Sequence, residues 1–385
     1  MSQGACNRVM LISHGATFGG GGEIAFDELV QSLRTHAPSV SLLAVSPKKG
    51  VIADRARSNG AEVAFIAQPR WADFGKCGTR YWARSLLLGA VTLVQTVRLI
   101  RSWRPDLIIT NTLTIPVGPI AAKFCRVRHI WMVDEFGKRD HDLTFLLGYP
   151  RTVAAIGRLS DSVLCCSRAV RDELAEHGIP EAKLAVAYGA VNTPAPGTRV
   201  EHRRSKEPLL ALLVGRIAEA KGQLLAVRAV GAAVRAGADV QLRLVGAPYD
   251  PAYVAQVKAV IEEEELAGRV EMTGAKRDPF PAYRDADVFL MCSKDEAFGR
   301  VTVEAMKFAL PVIGVNSGGT RELIEDGNTG FLIEPGDVTS MGNKLVAFWA
   351  DEAGRATMGR RAQEIAQRRF TAANWVDQIF GASFT

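Results

Sequence analysis

The six cysteines of this chain, Cys6, Cys77, Cys125, Cys165, Cys166 and Cys292, show neither a C-x-x-C spacing nor a paired framework. A disulfide scaffold is therefore excluded, and the thiols are expected to be buried and reduced, as in a cytoplasmic protein. Long apolar runs are lacking too. Residues 9–12 form the only apolar run near the N-terminus, too short for a signal peptide. The longest apolar segment, between Arg84 and Arg98, is interrupted by Gly89, Thr92 and Gln95 and falls short of the roughly 20 residues of a membrane helix. No transmembrane span is expected. Dedicated metal ligands are scarce as well. The strings Asp140-His141-Asp142 and Asp285-Ala286-Asp287 have a spacing common by chance, the second leads straight into a strand, and neither reads as a metal site.

What is present is an ordinary chain of 385 residues, 48% hydrophobic and 23% charged, long enough for two domains. Its net charge of +6 is uneven: residues 1–190 hold 23 Lys/Arg against 16 Asp/Glu, or +7, which leaves −1 for the remainder. A basic half suits anionic substrates or membrane head groups as well as plain solubility. Within it, residues 70–104 carry Arg70, Lys76, Arg80, Arg84, Arg98, Arg101 and Arg104 against Asp73 alone, with Trp71, Tyr81, Trp82 and Trp103 among them. Such a segment suits shallow insertion at an anionic membrane surface, or a core helix with a solvated face. No motif supports nucleic-acid binding.

Residues 8–13 read as a buried parallel strand, Gly15 and Gly19, Gly20, Gly21 and Gly22 as a loop, and residues 23–33 as a helix. Gly20-x-Gly22-x-x-Ala25 formally satisfies a dinucleotide fingerprint. The second strand, residues 40–45, runs into Ser46-Pro47-Lys48-Lys49 instead of an acidic ribose ligand, so an NAD(P)-binding oxidoreductase is a minor alternative. Strand and helix material alternates through residues 62–67, 81–103, 106–111, 116–124, 162–166, 167–177 and 184–187, which implies a parallel doubly wound sheet. Residues 129–142 form a strand running into a polar loop, at the sheet edge where ligands bind. Pro194, Pro196, Gly197 and Pro208, with a charged run at 201–206, read as a linker on which two domains could hinge. A fresh strand at 209–214, a helix from Gln223 and strands at 241–245, 270–273 and 288–291 follow.

The densest cluster spans residues 291–320. An apolar strand, a polar turn at 292–298 and helical spacing over 301–308 place Gly299 and Arg300 at a helix N-terminus, where backbone N–H groups and the dipole suit a phosphate. Glu296 in the turn and Glu304 about one turn inside the helix can address different parts of one ligand. Read blandly, Glu304 complements a helix dipole and Glu296 is a solvated loop charge.

Ser293, Glu296, Phe298, Gly299, Glu304, Ala305, Met306, Pro311, Val312, Ile313, Gly318 and Gly319 fall in step with the E-x7-E signature, and the stretch resembles that of the family-4 retaining glycosyltransferases. Ala297 stands where that family usually has glycine, and Phe308-Ala309-Leu310 replaces its small A-x-G turn. Gly215-Arg216-Ile-Ala-Glu-Ala-Lys221-Gly222 resembles the family's G-R-x-x-x-x-K-G element, residues 188–192 its domain-closing turn, and Glu322, Gly327, Gly330 and Asp337 continue its pattern.

The resemblance implies an α/β chain of GT-B architecture, two doubly wound Rossmann-like domains facing a cleft. It divides the chain into an acceptor-binding domain at 1–190, a linker at 191–208, a nucleotide-sugar-binding domain at 209–369 and a C-terminal helix at 370–385 that crosses back. It implies retaining transfer of a sugar from a nucleotide diphosphate sugar to a hydroxyl of a glycan, lipid-linked or small-molecule acceptor, without metal or cofactor, in cell-surface polysaccharide or glycolipid synthesis. Arg216 and Lys221 would grip the diphosphate, Glu304 the ribose, and Glu296 with Phe298, Gly299, Arg300 and Val301 the donor. Gly274 and Ala275 would lie near the base, and Gly19, Gly20, Gly21 and Gly22 would let backbone approach the donor phosphate. Many members place a histidine on the loop matching 129–142; here Met132, Asp134 and Glu135 occupy the nearest positions, so Asp134, Glu135 and His141 are the candidates. A nucleotide-sugar epimerase of the same fold and a silent sugar-nucleotide-binding protein are the alternatives. The expected location is cytoplasmic, peripheral on the inner face of a membrane.

Overall fold

A computed structural model describes residues 6–75, 77–195 and 207–383. Lys76 of the basic segment, and Pro196, Gly197 and the charged run of the expected linker, lie outside them. The chain divides into two compact units, residues 1–191 with 370–385, and residues 192–369.

The first unit begins with β1 (Arg8–Ile12), α1 (Gly21–His36), β2 (Ser41–Ser46), α2 (Val51–Ser58), β3 (Glu62–Phe65) and β4 (Ala72–Phe74). The long α3 (Thr79–Trp103) leads to β5 (Leu107–Asn111), α4 (Val117–Cys125), β6 (Arg128–Val133) and β7 (Leu143–Phe145). Then come α5 (Tyr149–Leu159), β8 (Ser162–Cys165), α6 (Arg168–Glu176) and β9 (Leu184–Val186). Seven strands pair in the order β3-β2-β1-β5-β6-β8-β9, all in parallel, and β4 pairs antiparallel with β7. Successive strand residues point to opposite faces. Val9 and Leu11 therefore enter one core with Leu29 and Leu33 of α1, while Met10 and Ile12 enter a second with Ile100 and Trp103 of α3.

The second unit repeats the plan with β10 (Leu209–Val214), α7 (Gln223–Arg235), β11 (Val240–Val245), α8 (Pro251–Glu263), β12 (Val270–Gly274) and α9 (Phe280–Asp285). It continues through β13 (Val288–Met291), α10 (Arg300–Lys307), β14 (Val312–Val315), α11 (Thr320–Leu323), β15 (Gly330–Ile333), α12 (Val338–Ala350) and α13 (Glu352–Arg369). Six parallel strands run β12-β11-β10-β13-β14-β15, a doubly wound order whose direction of growth reverses between β10 and β13. The final α14 (Ala372–Ser383) belongs to the first unit. Its Trp375, Val376 and Ile379 are buried in the core that α1 covers, and the Ser162 hydroxyl donates to the Ala382 carbonyl at 2.9 Å.

The structure refines three readings of the sequence. All six cysteines are free, but only Cys165, Cys166 and Cys292 are buried; Cys6, Cys77 and Cys125 are half-exposed because they lie at element ends and in a loop. The interrupted apolar segment at 84–98 is the middle of the 25-residue α3, which is long and apolar enough to cross a membrane by length and composition. Its threonines do not break it, because the Thr92 and Thr96 hydroxyls bond back to the Leu88 and Thr92 carbonyls at 2.9 and 2.8 Å. Nor are the tryptophans of the basic segment uniformly available to a surface. Trp71 is buried and stacked on Trp131 with ring centroids 5.6 Å apart, and buried Trp103 donates to Glu62 at 2.9 Å. An indole is large enough to repay burial once its N–H finds an acceptor.

Candidate active site

In an open parallel sheet the strand order reverses at one point, and the loops leaving the carboxyl ends of the two strands there diverge to form a crevice. In the second unit those strands are β10 and β13, and the loops are residues 215–222 and 292–299. They carry Arg216, Lys221, Glu296, Phe298 and Gly299.

The two loops are joined by an ion pair: Nζ of Lys221 donates to Oε2 of Glu296 at 2.7 Å, with the side chains 30% and 17% exposed. Arg216 lies with its guanidinium carbon 4.5 Å from the centre of the Tyr249 ring, and its carbonyl accepts from the Gln223 side chain at 2.9 Å. An aromatic face fixes a guanidinium without consuming its N–H donors. The site thus holds two cations and a carboxylate, all on loops anchored by buried strands.

Glycines shape this place. Gly222 starts α7 at φ 69°, and a Cβ there would lie 2.3 Å from the Cys292 carbonyl oxygen, so the 215–222 loop presses on the 292–299 loop backbone to backbone. From the other side a Cβ on Gly318 would meet the Glu296 oxygen at 2.4 Å, and one on Gly319 the Ala297 oxygen at 2.4 Å. The Gly319 N–H donates to the Glu296 carbonyl at 2.7 Å. The loop bearing Glu296 is clamped between two glycine segments, which accounts for their place in the motif. Ala297 is accommodated because its φ is not positive.

Gly299, at φ 94°, opens α10, whose N-terminus has no side-chain cap among the described residues. Arg300 and Val301 are its first residues, and their N–H groups are those that intrahelical bonding leaves over. Glu304 is half-buried one turn further on, where the Tyr283 hydroxyl donates to its Oε2 at 2.7 Å. Tyr283 is fully buried and stacked on Phe308, ring centroids 5.7 Å apart; burial and then the Glu304 charge push its hydroxyl pKa well above the usual value, so it stays a donor. Nothing in the sequence singles out Tyr283 or Tyr249: a tyrosine on a short helix reads as core, and one in a loop as surface. Gly274 and Ala275 lie at the end of β12, two strands from β10, and the Gly274 carbonyl accepts at 3.0 Å from the N–H of Gly246, whose backbone presses on the Gly215 carbonyl.

In the first unit, the glycine loop follows β1 and α1 starts at Gly21, with Gly20 as its N-cap. His14, unremarked in the sequence, bridges the loop to the helix: Nε2 lies 3.0 Å from Oε1 of Glu23. Burial would raise the Glu23 pKa, but the His14 hydrogen bond and charge hold it below the usual carboxylate range. A Cβ on Gly15 would meet Cγ of Glu23 at 2.7 Å, whereas at Gly19 and Gly20 no atom lies closer than 3.6 Å. Protein packing demands glycine at 15, not at 19 or 20.

The loop after β6 carries Asp134, Glu135 and His141. Glu135 is buried, and its Oε1 accepts from the Leu113 N–H at 2.8 Å and from the Thr112 hydroxyl, which braces the β5 loop where Thr112 sits at φ 74°. Burial and then the Asp134 charge raise the Glu135 pKa. Asp140 accepts from the Phe136 and Gly137 N–H groups at 2.9 and 2.8 Å, turning the chain. His141 stands edge-on to Phe74, ring centroids 6.0 Å apart, and is the most exposed of the three candidates. Nearby His129 is core: burial pushes its pKa down to about 3. The aspartates of the second D-x-D string serve the fold, Asp285 pairing with Arg243 at 3.0 Å and Asp287 accepting from the Leu210 N–H at 2.9 Å.

Residues 196–365 match the family described as Glycosyl transferases group 1, and residues 19–194 match Glycosyltransferase Family 4. Among curated proteins the chain is 31% identical over 140 residues to N-acetyl-alpha-D-glucosaminyl L-malate synthase of Bacillus anthracis, covering 36% of each chain. It is 26% identical over 176 residues to the capsular polysaccharide biosynthesis glycosyltransferase CapM of Staphylococcus aureus, covering 44% of each. These alignments span less than half the length of either relative. Among solved structures, HepE of Anabaena in complex with UDP superposes with a TM-score of 0.77 at 22% identity, over 97% of this chain and 98% of that one. That likeness establishes the fold: two Rossmann-like units in the GT-B class.

Proposed function

Because this chain belongs to the family 4, group 1 glycosyltransferases, we propose that it moves a sugar from a nucleotide diphosphate sugar to an acceptor hydroxyl. The observation that carries the reading is the Lys221–Glu296 ion pair joining the two loops at the strand-order reversal of the second unit. A phosphate donor fits there, since two cations and an uncapped helix N-terminus converge on one edge of the sheet.

In this reading Arg216 and Lys221 hold the diphosphate and stabilise the charge that develops as it leaves, the electrostatic task a metal ion would otherwise perform. Glu304 binds the ribose hydroxyls, while Glu296 and the backbone at Phe298 and Gly299 address the sugar. The bond from the anomeric carbon to the phosphate oxygen breaks as the acceptor oxygen bonds to that carbon on the same face. The departing phosphate oxygen takes the acceptor's proton, and anomeric configuration is retained. The acceptor is a glycan or lipid-linked hydroxyl in cell-surface polysaccharide synthesis, worked on at the cytoplasmic face of a membrane; the capsular role in CapM's name supports this choice.

Thermal-shift measurements with UDP, GDP, ADP, TDP and NAD(P) test the donor. One nucleoside diphosphate should selectively raise Tm, by the equivalent of about 2.7 kcal/mol at a concentration 100 times Kd. A response to NAD(P) alone would overturn the reading.

Tyr283→Phe keeps the ring stack and removes only the hydroxyl that holds Glu304. With about 1 kcal/mol lost from one positioned carboxylate, the donor KM should rise about 5-fold with kcat within about 2-fold. An unchanged KM with a lowered Tm would reduce Tyr283 to a core residue.

A further inference from the structure

α3 carries its polar and apolar residues on the unexpected sides. Thr92 and Thr96 are buried together with Ile100 and Trp103, on the face packed against α4 and the sheet. The outward face shows Leu87, Val91 and Val94, exposed by 74%, 56% and 50%. At 3.6 residues per turn these three fall on one stripe, and Arg80 and Arg98 continue it at its two ends. Arg84 and Arg101 flank the same stripe, and Arg101 lies over the exposed ring of Phe124, 5.7 Å from its centre. Among the described residues Arg80, Arg84 and Arg98 have no ion-pair partner. From residue 74 to residue 105 the sequence contains no Asp or Glu.

An exposed apolar strip bounded at both ends by arginines with no ion-pair partner among the described residues, and without a single acid, is complementary to one kind of partner. We propose that the outer face of α3 is the surface by which this protein lies on an anionic lipid membrane. The helix meets the membrane along its side, because its opposite face is occupied by α4. Leu87, Val91 and Val94 enter the boundary between head groups and acyl chains, while the arginines contact lipid phosphates on either side. The strip runs parallel to the helix axis, so the first unit settles in one rotational setting. This inference rests on the membrane-side reading above and assigns it to one face.

Sedimentation of the full chain with vesicles of phosphatidylcholine, alone or mixed with phosphatidylglycerol, tests it. The wild type should partition at least about 10-fold more onto the anionic vesicles. Leu87→Glu/Val91→Glu/Val94→Glu should lose at least about 10-fold of that binding. Arg80→Gln/Arg84→Gln/Arg98→Gln should abolish the preference for anionic lipid. All three proteins should keep the same Tm and the same nucleotide-induced shift, since the substituted side chains face solvent. If the triple glutamate protein binds anionic vesicles as the wild type does, the membrane reading stands and the assignment to α3 fails. If the wild type binds neither vesicle, the membrane reading itself fails. Self-association of the wild type that the glutamates abolish, without vesicle binding, would give the face to a second copy of the chain.

Discussion

Lys221→Ala is expected to lower kcat by at least about 100-fold, the scale for losing one preorganised donor to a transition-state charge. Lys221 leaves a loop pinned at both ends, by β10 and by the glycine that starts α7, so its ammonium group is already in position before charge develops. The substitution also takes from Glu296, whose side chain is only 17% exposed, its ion-pair partner at 2.7 Å. The two sources of damage separate in the double variant Lys221→Ala/Glu296→Gln. Neutralising that carboxylate should recover the part of Tm lost with the ion pair, because a shielded charge that has lost its cation costs more than an absent pair. Turnover should not recover, because the cation is still missing and Glu296 itself addresses the sugar. Turnover of Lys221→Ala within about 3-fold of wild type would remove this residue from the mechanism.

Gly222→Ala, one carbon added next door, is expected to be nearly as damaging by a different route. At φ 69° an alanine pays about 1–2 kcal/mol for a left-handed backbone. Its Cβ would also lie 2.3 Å from the Cys292 carbonyl oxygen, and a backbone atom cannot rotate away as a side chain can. One loop must retreat, at a further cost of about 1–3 kcal/mol. A total near 3 kcal/mol in a unit of this size corresponds to a Tm lower by roughly 6–12 °C. Because the retreat pulls the Lys221 loop away from the Glu296 loop, kcat should fall with Tm. A soluble variant with wild-type Tm and turnover would show that the close approach of these loops is dispensable.

Much of the second unit is legible in the sequence. Strands at 209–214 and 288–291 begin and end where the apolar runs do, since a strand covered on both faces is written as an unbroken apolar run. The motif residues Arg216, Lys221, Glu296 and Gly299 flank the strand reversal because short loops leave little freedom in where a residue lands. Other features lie beyond the reach of pattern. Tyr283 holds Glu304 across 21 positions of sequence, and no local signal marks the pairing. Glu135 reads as an acid in a candidate loop, yet it braces Thr112 and Leu113 from inside the unit. Ala309 occupies the left-handed region at φ 57° where a glycine would be expected; the turn keeps its shape because the surroundings over-determine it, as when the Ala309 oxygen receives the close approach of Gly359. Composition showed α3 to be basic and apolar, but which residues face outward depends on α4, which the helix meets only after folding.

The placement of α14 governs the order in which the molecule can be completed. Trp375, Val376 and Ile379 belong to the core of the first unit, yet the ribosome makes them only after the roughly 180 residues of the second. At translation rates of about 5–20 residues per second, the nascent first unit waits on the order of 10–40 s with that pocket beside α1 unfilled. Among the described residues, the second unit's core cluster around β10, β11 and α7 draws on residues within that unit's own span, so it can close as soon as that chain is made. The domain that starts first is therefore the one that finishes last.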